Sequence, residues 1–329
     1  MTDRRGRRKS PSKVVALCGG VGGAKLALGL YRVLPPEDLL LCVNTGDDFE
    51  HLGLHVSPDI DTVLYTLAEL NNPETGWGRR DETWTFMRAL EALGGEAWFR
   101  LGDGDLATHI ERTRRLRGGE SLTAITGDFA SRLGVRAHLL PMSDDPVRTL
   151  VETPEGVMPF QRYFVARRCE PPVLRLRFDG AERAQPSPDV IAALRSPDLA
   201  AVVICPSNPY LSVDPILALP ALRKALADCA SPVVAVSPLI GGQAVKGPTA
   251  KIMAELSVPQ TQASIARHYD GLIDGLVIDR TDRDDADALP VPAWITRTLM
   301  NSLNDREALA REVLDFGASL DDRATTRGV

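Results

Sequence analysis

Short apolar segments recur along the chain and alternate with segments that have helical periodicity. The apolar segments lie at residues 13–20, 39–45, 200–208, 232–238 and 275–281. They are rich in valine, isoleucine and leucine on both faces, as expected for strands of a parallel sheet buried between helices. The alternation predicts an α/β fold with a Rossmann-like, doubly wound and mostly parallel sheet.

The pattern changes after the second predicted strand. Helical periodicity dominates from about residue 62 to 133, which predicts a small helical subdomain inserted into the core. Extended runs return from about residue 135 to 179, and the sequence TPEG at residues 153–156 predicts a hairpin. We expect one core at residues 13–320, a disordered basic tail at residues 1–12 and a frayed tail at residues 321–329.

Composition narrows the class of protein. A net charge of −6 and a pI near 5.5 argue against a nucleic-acid partner. No run approaches the roughly 18 apolar residues of a membrane span, so we expect no membrane partner. The five cysteines are scattered without a CxxC pair, which argues against a zinc site or a disulfide framework. Such cysteine usage favours a cytoplasmic location.

A glycine-rich loop, GGVGGAKL, follows the first predicted strand and opens a helix. Its glycines are Gly19, Gly20, Gly22 and Gly23. They would let the backbone approach a bound phosphate or dinucleotide, and Lys25 would add a positive charge. The loop lacks the Walker pattern, which argues against a Walker-type NTPase. A tight strand-to-helix turn without a ligand is the alternative interpretation.

Four aspartates follow the second predicted strand closely: Asp47, Asp48, Asp59 and Asp61. Ligands of open α/β sheets bind at the carboxyl ends of the strands, so Asp47 and Asp48 should face the crevice beside the glycine loop. Oxygen ligands near a phosphate site suit Mg²⁺, and we expect Asp47, Asp48 and Asp61 to hold it with a diphosphate. N-capping of the next helix is the alternative role for Asp59.

Polar loops also end the later predicted strands. The loop CPSNPYLS supplies Ser207 and Asn208, which suit a base or ribose. The loop SPLIGGQAVKGP supplies Ser237, Lys246 and Gly247, which suit phosphates. Two acidic loops, LGDGDLATH and LPMSDDPVRT, fit the same scheme, although ordinary turns are the alternative. The histidine of LGDGDLATH is expected to be structural.

Taken together, these loops resemble the phospholactate transferase (CofD/FbiA-like) family. Six motifs have the order and spacing of that family between about residues 13 and 320: GGVGGAKL, NTGDDFEHLGLHVSPDIDTVLY, LGDGDLATHI, LPMSDDPVRT, PSNPYLS and VSPLIGGQAVKGP. The resemblance implies a Mg²⁺-dependent enzyme of coenzyme F420 biosynthesis with a Rossmann-like core, commonly a homodimer. Cys205 stands where the family more usually has glycine, so it adds a side chain where the backbone would pass close to the nucleotide.

The resemblance also implies the two substrates. The donor would be a guanosine diphosphate-activated three-carbon acid: 2-phospholactate, phosphoenolpyruvate or 3-phosphoglycerate. The acceptor would be the ribityl hydroxyl of the deazaflavin precursor Fo. The products would be the phosphodiester F420-0, or its dehydro or glyceryl form, and GMP.

The residues around Fo follow from the same resemblance. Asp61 in SPDIDT matches the Fo-contacting aspartate of the family, with Asp59 beside it. Arg100 lies where the family often has lysine, which is a different donor in detail. We expect Asp61, with Asp47 and Asp48, to be catalytic by orienting or deprotonating the hydroxyl and by charge stabilisation. On this interpretation Asp61→Asn loses turnover and stays folded.

Two other functions fit parts of the sequence. A YvcK-like regulator would share the glycine loop and bind a nucleotide sugar without converting it, but the SPDIDT and LGDGDLATH segments favour the transferase. A nicotinamide-dependent oxidoreductase is disfavoured, because no clean G-x-G-x-x-G is followed by an acidic residue about 20 positions later.

Overall fold

The computed structural model describes residues 12–244 and 247–327. Nearly all of the predicted basic tail at residues 1–12 therefore lies outside the described residues. The last helix is described to Arg327, and residues 328–329 of the predicted frayed tail also lie outside the described residues. No helix in the described ranges is long and apolar enough to cross a membrane.

Strands and helices alternate along most of the chain. In chain order the strands are β1 (Lys13–Cys18), β2 (Leu39–Val43), β3 (Phe49–His51), β4 (Leu54–Val56), β5 (His138–Pro141), β6 (Arg148–Thr153), β7 (Gly156–Pro159), β8 (Arg175–Asp179), β9 (Leu199–Ile204), β10 (Val233–Val236), β11 (Leu239–Ile240), β12 (Gln243–Ala244), β13 (Gly275–Asp279) and β14 (Ala293–Thr296). The α-helices are α1 (Gly20–Val33), α2 (Pro58–Leu67), α3 (Thr85–Ala92), α4 (Asp103–Arg117), α5 (Leu122–Arg132), α6 (Pro188–Leu194), α7 (Asp214–Leu217), α8 (Pro220–Ala227), α9 (Thr249–Glu255), α10 (Gln262–His268) and α11 (Leu303–Arg327). Shorter helical turns lie at Pro36–Asp38, Arg162–Ala166, Pro209–Val213 and Arg280–Ala288.

A seven-stranded parallel sheet forms the centre, in the order β14, β13, β10, β9, β1, β2, β5. Alternate residues of β1 point to opposite faces, so Val15 and Leu17 join one apolar cluster while Val14 and Ala16 join the other. Both faces are buried, which is why the central strands read as continuous apolar runs. The predicted α/β, doubly wound, mostly parallel sheet is confirmed.

Helices cover both faces of this sheet. Helices α1, α2 and α11 contribute to one cluster, and α6, α8, α9 and α10 contribute to the other. The helical patterns expected after residue 62 are present as α2 to α5, with α2 beginning at Pro58. The predicted hairpin is also present, since β6 and β7 pair from Thr153 and Gly156 outward.

The strand order predicts a ligand crevice beside β1. After β1 the sheet grows on one side through β2 and on the other side through β9. Loops leave adjacent strands in opposite directions at such a switch point, which opens a crevice at their carboxyl ends. The glycine loop after β1, the aspartate loop after β2 and the loop after β9 therefore meet at one edge.

Candidate active site

A cleft of about 460 Å³ lies at this edge of the sheet. Its walls come from the loops after β1, β2, β9 and β10, from α2 and α4, and from the turn at Arg162–Ala166. Most predicted site residues line it: Gly19, Gly20, Gly22, Lys25, Asp47, Asp59, Asp61, Arg100, Ser207, Asn208, Ser237 and Gly247. Lys246 lies outside the described residues.

The glycine loop is packed tightly against the loop after β9. A Cβ atom at Gly22 would lie 2.2 Å from the carbonyl oxygen of Pro206, and one at Gly23 would lie 2.5 Å from the Ser207 hydroxyl. Gly20 has a φ of +60°, which favours glycine. Close packing therefore explains Gly22 and Gly23 without a ligand, and it also holds the start of α1 at the cleft.

Asn44 joins two of the predicted aspartates. Its side-chain amide donates to Asp59 Oδ2 at 2.9 Å and to Asp47 Oδ1 at 3.3 Å. The other oxygen of Asp59 accepts from the amide of Gly20 at 2.7 Å, at the beginning of α1. Asp59 thus ties the aspartate loop to the glycine loop, and the N-cap of α2 is Ser57 rather than Asp59.

Negative charge accumulates around Asn44. Burial raises the pKa of Asp59 to about 6, against the hydrogen bonds from Asn44 and Gly20. Burial, and then the nearby Asp59 and Asp48, raise the pKa of Asp47 well above its ordinary value. Arg148 lowers the pKa of Asp47 only as a minor opposing cause. A bound cation would relieve this repulsion.

Asp48 is buried on the far side of the same loop. Its Oδ2 accepts from the Ser57 hydroxyl at 2.8 Å and lies 3.0 Å from His55 Nε2. Its Oδ1 is buried and has no hydrogen-bond partner. Asp48 does not line the main cleft, although it is adjacent to Asp47 in sequence.

Asp61 lines the cleft but is already paired. Arg112 of α4 contacts both carboxylate oxygens of Asp61, with Nη1 at 3.0 Å from Oδ2. Both side chains are buried, at 1% and 5% exposure. A neutral hydrogen-bonded group could not compensate the guanidinium charge, so Asp61 serves as the counter-ion of Arg112 in the fold.

The same carboxylate lies beside a buried histidine. His109 Nδ1 is 3.7 Å from Asp61 Oδ2, and His109 Nε2 is 3.2 Å from Asp105 Oδ2. The Tyr65 hydroxyl donates to Asp105 Oδ1 at 2.7 Å. Sequence reasoning treated the histidine as structural and gave no role to Asp105. Both residues line the cleft, and their spacing of four along a helix was the available signal.

The structure does not unite the three predicted metal ligands. The described residues that offer closely spaced ligand atoms, within 4.8 Å of one another, are Asp61, Asp105 and His109. Arg112 already neutralises Asp61 in that group, which makes it a poor place for a cation. Asp47 and Asp48 keep uncompensated carboxylate oxygens, so they suit a divalent cation better than Asp61 does.

One end of the cleft is aromatic. Arg100 lies with its guanidinium 4.8 Å from the centre of the Trp84 ring, and it lines the cleft with Trp77 and Phe164. Trp77 and Phe164 are 57% and 39% exposed, which is unusual for large apolar side chains. This end therefore suits a flat ring system.

The loops after β9 and β10 form the other end. The Ser207 hydroxyl donates to the carbonyl of Gly19 at 2.9 Å, so it joins two loops. Asn208 caps the following turn through its oxygen, while its side-chain nitrogen is buried without a partner. Ser237 is buried at the cleft, and Lys25 contacts the carbonyl of Met300 at 3.0 Å.

The side chain that Cys205 adds points into the core and not into the cleft. Its side chain is 1% exposed and belongs to the apolar cluster beneath α1 and α11. Residue 205 is the first after β9, and its amide still donates to the carbonyl of Leu17 in sheet fashion at 3.0 Å. The pleat of the strand therefore directs the thiol into the core.

Comparison with known proteins gives a consistent result. The family model described as 2-phospho-L-lactate transferase CofD matches residues 14–293. A phosphoenolpyruvate transferase from Streptomyces griseus is 41% identical, over 92% of this chain and 98% of that protein. A 2-phospho-L-lactate transferase from Methanosarcina mazei is 38% identical, over 92% of this chain and 99% of that protein.

Among solved structures, a protein of the UPF0052 family from Bacillus halodurans has the same fold. The TM-score is 0.61, and the match covers 94% of this chain and 100% of that one. The sequence identity is 16%, so the likeness supports the fold alone.

Proposed function

Because the chain belongs to the 2-phospho-L-lactate transferase CofD family, a family of transferases in F420 biosynthesis, we propose a specific reaction for the cleft. The protein transfers a phospho-three-carbon acid from a guanosine diphosphate-activated donor to the ribityl hydroxyl of Fo. The acid is 2-phospholactate, phosphoenolpyruvate or 3-phosphoglycerate. The products are F420-0, or its dehydro or glyceryl form, and GMP.

The two ends of the cleft suit the two substrates. The guanosine end is formed by the glycine loop and by the loops after β9 and β10, where the unpartnered amide nitrogen of Asn208 would donate to the nucleotide. The Fo end is formed by the exposed rings of Trp77 and Phe164 with Arg100. Asp47, Asp59 and Asp61 line the same cleft, and we place the diphosphate and the attacking hydroxyl beside them.

The reaction is a displacement at phosphorus. The ribityl oxygen forms a bond to the phosphorus that carries the three-carbon acid, and the bond from that phosphorus to the GMP oxygen breaks. The hydroxyl proton leaves to Asp61 and then to solvent. Arg112 holds Asp61 in one orientation, so its main contribution is to align the hydroxyl. Transfers of this kind depend mainly on positioning and charge stabilisation, and no strong base is needed.

Mg²⁺ fits the residues at Asp47 and Asp48. Asp47 is crowded by Asp59, and Asp48 has a buried Oδ1 without a partner, so both have oxygens to offer a hard cation. When bound there, Mg²⁺ would neutralise the diphosphate. The crowding of these carboxylates at the carboxyl ends of β1 and β2 is the observation that carries the proposal.

The test is turnover by purified protein with Fo, Mg²⁺ and each of the three activated acids, read by mass. Asp47→Asn should lower kcat by about 100- to 1,000-fold, as expected for a group that stabilises transition-state charge. Asp81→Asn is the control, because Asp81 is 91% exposed in its side chain and lies away from the cleft. EDTA should abolish turnover, and Mg²⁺ should restore it.

Two results would contradict the proposal. Equal turnover by Asp47→Asn and Asp81→Asn would remove the aspartates from the chemistry. Tight binding of a nucleotide sugar, with no product from any donor, would favour a binding regulator instead. We also propose a homodimer in the cytoplasm, which light scattering and cell fractionation would check.

A further inference from the structure

A second cavity, the side chamber, opens next to the main cleft. Its volume is about 310 Å³. The residues that define it here are Asp48, His51, Trp98, Arg148, Thr149 and Leu150. It shares three wall residues with the main cleft: Asp47, Phe160 and Gln161. The side chamber is therefore adjacent to the point where we place the transferred phosphorus.

Three buried polar atoms of the side chamber have no partner. They are Asp48 Oδ1, His51 Nε2 and Thr149 Oγ1. Each residue is 3% exposed or less. Buried polar groups are nearly always hydrogen-bonded. Asp48 Oδ1 is the oxygen that we offer to Mg²⁺, so the unpaired atoms that indicate a further polar occupant are His51 Nε2 and Thr149 Oγ1.

Arg148 supplies an unpaired positive charge at the same place. Its guanidinium donates to the carbonyl of Val147 at 2.8 Å, and no carboxylate of the described residues lies within ion-pair distance of it. It is close enough to Asp47 to lower the pKa of that carboxyl. The guanidinium is thus available for an anion beside the reaction centre.

The size of the side chamber limits the occupant. A volume of 310 Å³ holds about ten water molecules at roughly 30 Å³ each. This is ample for a three-carbon acid and too small for guanosine or for Fo as a whole. Trp98 and Leu150 add apolar wall area. The wall also contains Asp47, Asp48, Glu50 and Glu96, and it contains Arg162, which pairs with Glu96 at 3.5 Å. Arg148 is the wall cation without an ion-pair partner among the described residues, and a small acid with a short carbon chain matches it together with the two unpaired polar atoms and the apolar walls.

We propose that the side chamber binds the three-carbon acid of the donor, which rests on the function proposed above. Arg148 binds the carboxylate that all three candidate acids share. Thr149 and His51 meet the methyl, methylene or hydroxymethyl group by which the acids differ. Arg148 therefore sets affinity for every donor, and Thr149 contributes to the choice among them.

The experiment measures donor binding without Fo, by calorimetry, so that turnover is not required. Each activated acid and GDP, which lacks the acid, are titrated into wild type, Arg148→Gln and Arg177→Gln. Arg177 is the matched control, because it lies on the same small sheet, pairs with Glu152 at 3.5 Å and lines neither cavity. Arg148→Gln removes a charge-assisted contact, so its affinity for every activated acid should be about 10- to 100-fold lower than that of wild type. GDP affinity should stay within about twofold.

A second pair of variants tests selectivity. Thr149→Val keeps the shape of the side chain and removes the hydroxyl. It should change the ratio of kcat/KM between the glyceryl and enolpyruvyl donors by about 2- to 10-fold. Arg148→Lys keeps the charge without the planar fork, so its donor affinity should lie between wild type and Arg148→Gln. Thermal unfolding of each variant confirms that it is folded.

The possible outcomes separate the two proposals. If Arg148→Gln weakens the binding of GDP and of the activated acids equally, Arg148 acts through the main cleft. If the variant raises only the KM for Fo, the acceptor occupies the side chamber. Either result overturns the inference and leaves the transferase proposal standing. Binding of the activated acids with the expected Arg148 dependence, but without transfer to Fo, would overturn the transferase proposal alone. Absence of donor binding by wild type overturns both.

Discussion

The buried ion pair of Asp61 and Arg112 predicts that Asp61 contributes to the stability of the fold as well as to the reaction. Asp61→Asn removes one charge of the pair and leaves the guanidinium of Arg112 buried, at 1% exposure, without its counter-ion. Breaking a buried pair in this way costs about 3–5 kcal/mol of unfolding free energy. The sequence predicts that Asp61→Asn stays folded, and the ion pair adds the prediction that this variant is less stable than wild type.

A double-mutant cycle measures this effect. Arg112→Met should be similarly destabilising, because it leaves the Asp61 carboxylate unpaired. The double variant removes both charges, so the two losses should not add, and the coupling free energy should be about 2–3 kcal/mol. Guanidinium chloride unfolding at pH 7 gives the four unfolding free energies.

A second pair serves as the control. Lys224 and Asp228 lie 2.8 Å apart on one exposed helix face, and their side chains are 75% and 62% exposed. Water screens such pairs, so the same cycle there should give a coupling indistinguishable from zero. If the coupling free energy of Asp61 and Arg112 is also indistinguishable from zero, the pair does not stabilise the fold. The argument that Arg112 holds Asp61 in place then fails.

Two further predictions concern the glycine loop and the carboxylates. Gly22→Ala should destabilise the fold by about 1–3 kcal/mol, because the new Cβ would lie 2.2 Å from Pro206 O. Gly127 is the control, because it lies inside α5 with open space around it, and Gly127→Ala should be neutral or stabilising by up to about 1 kcal/mol. Equal unfolding midpoints for the two variants would contradict the packing argument. The pKa of Asp59 is raised to about 6 and that of Asp47 is also raised, so both bind protons more tightly in the folded state and stabilise the fold at low pH. The contribution of Asp59 is lost as pH rises from about 4 through 6. Mg²⁺ binds the ionised carboxylates, so the stabilisation by Mg²⁺ should grow over this range, and equal stabilisation at pH 5 and pH 8 would refute the cation site.

The central strands could be predicted because they are buried on both faces. Segments such as LLLCV in β2 have no polar position at which a helix or a half-exposed strand would be preferred. The edge strand β14, AWIT, was missed because it is short, only partly buried and mixes tryptophan with threonine. Its assignment depends on pairing with β13, which only the folded sheet reveals.

The loops that form the site could be predicted from the sequence, but the partners of the individual side chains could not. Loop position follows from the βα rhythm, so the clustering of Asp47, Asp59 and Asp61 could be expected. The ion-pair partner of Asp61 could not be predicted, because Arg112 lies 51 residues away in the sequence on another helix. The direction of the Cys205 thiol was not predictable for a related reason, since one residue of strand register decides which face a side chain occupies.

Product analysis of one reaction tests the central claim most directly. Wild type is given Fo, Mg²⁺ and one activated acid, and the two products are identified by mass. Attack on the phosphorus that carries the acid predicts GMP and an Fo–phosphate–acid diester in equal amounts. A guanylylated Fo with release of the free phospho-acid would mean that the other phosphorus is attacked, and it would contradict the arrangement of donor and acceptor described above.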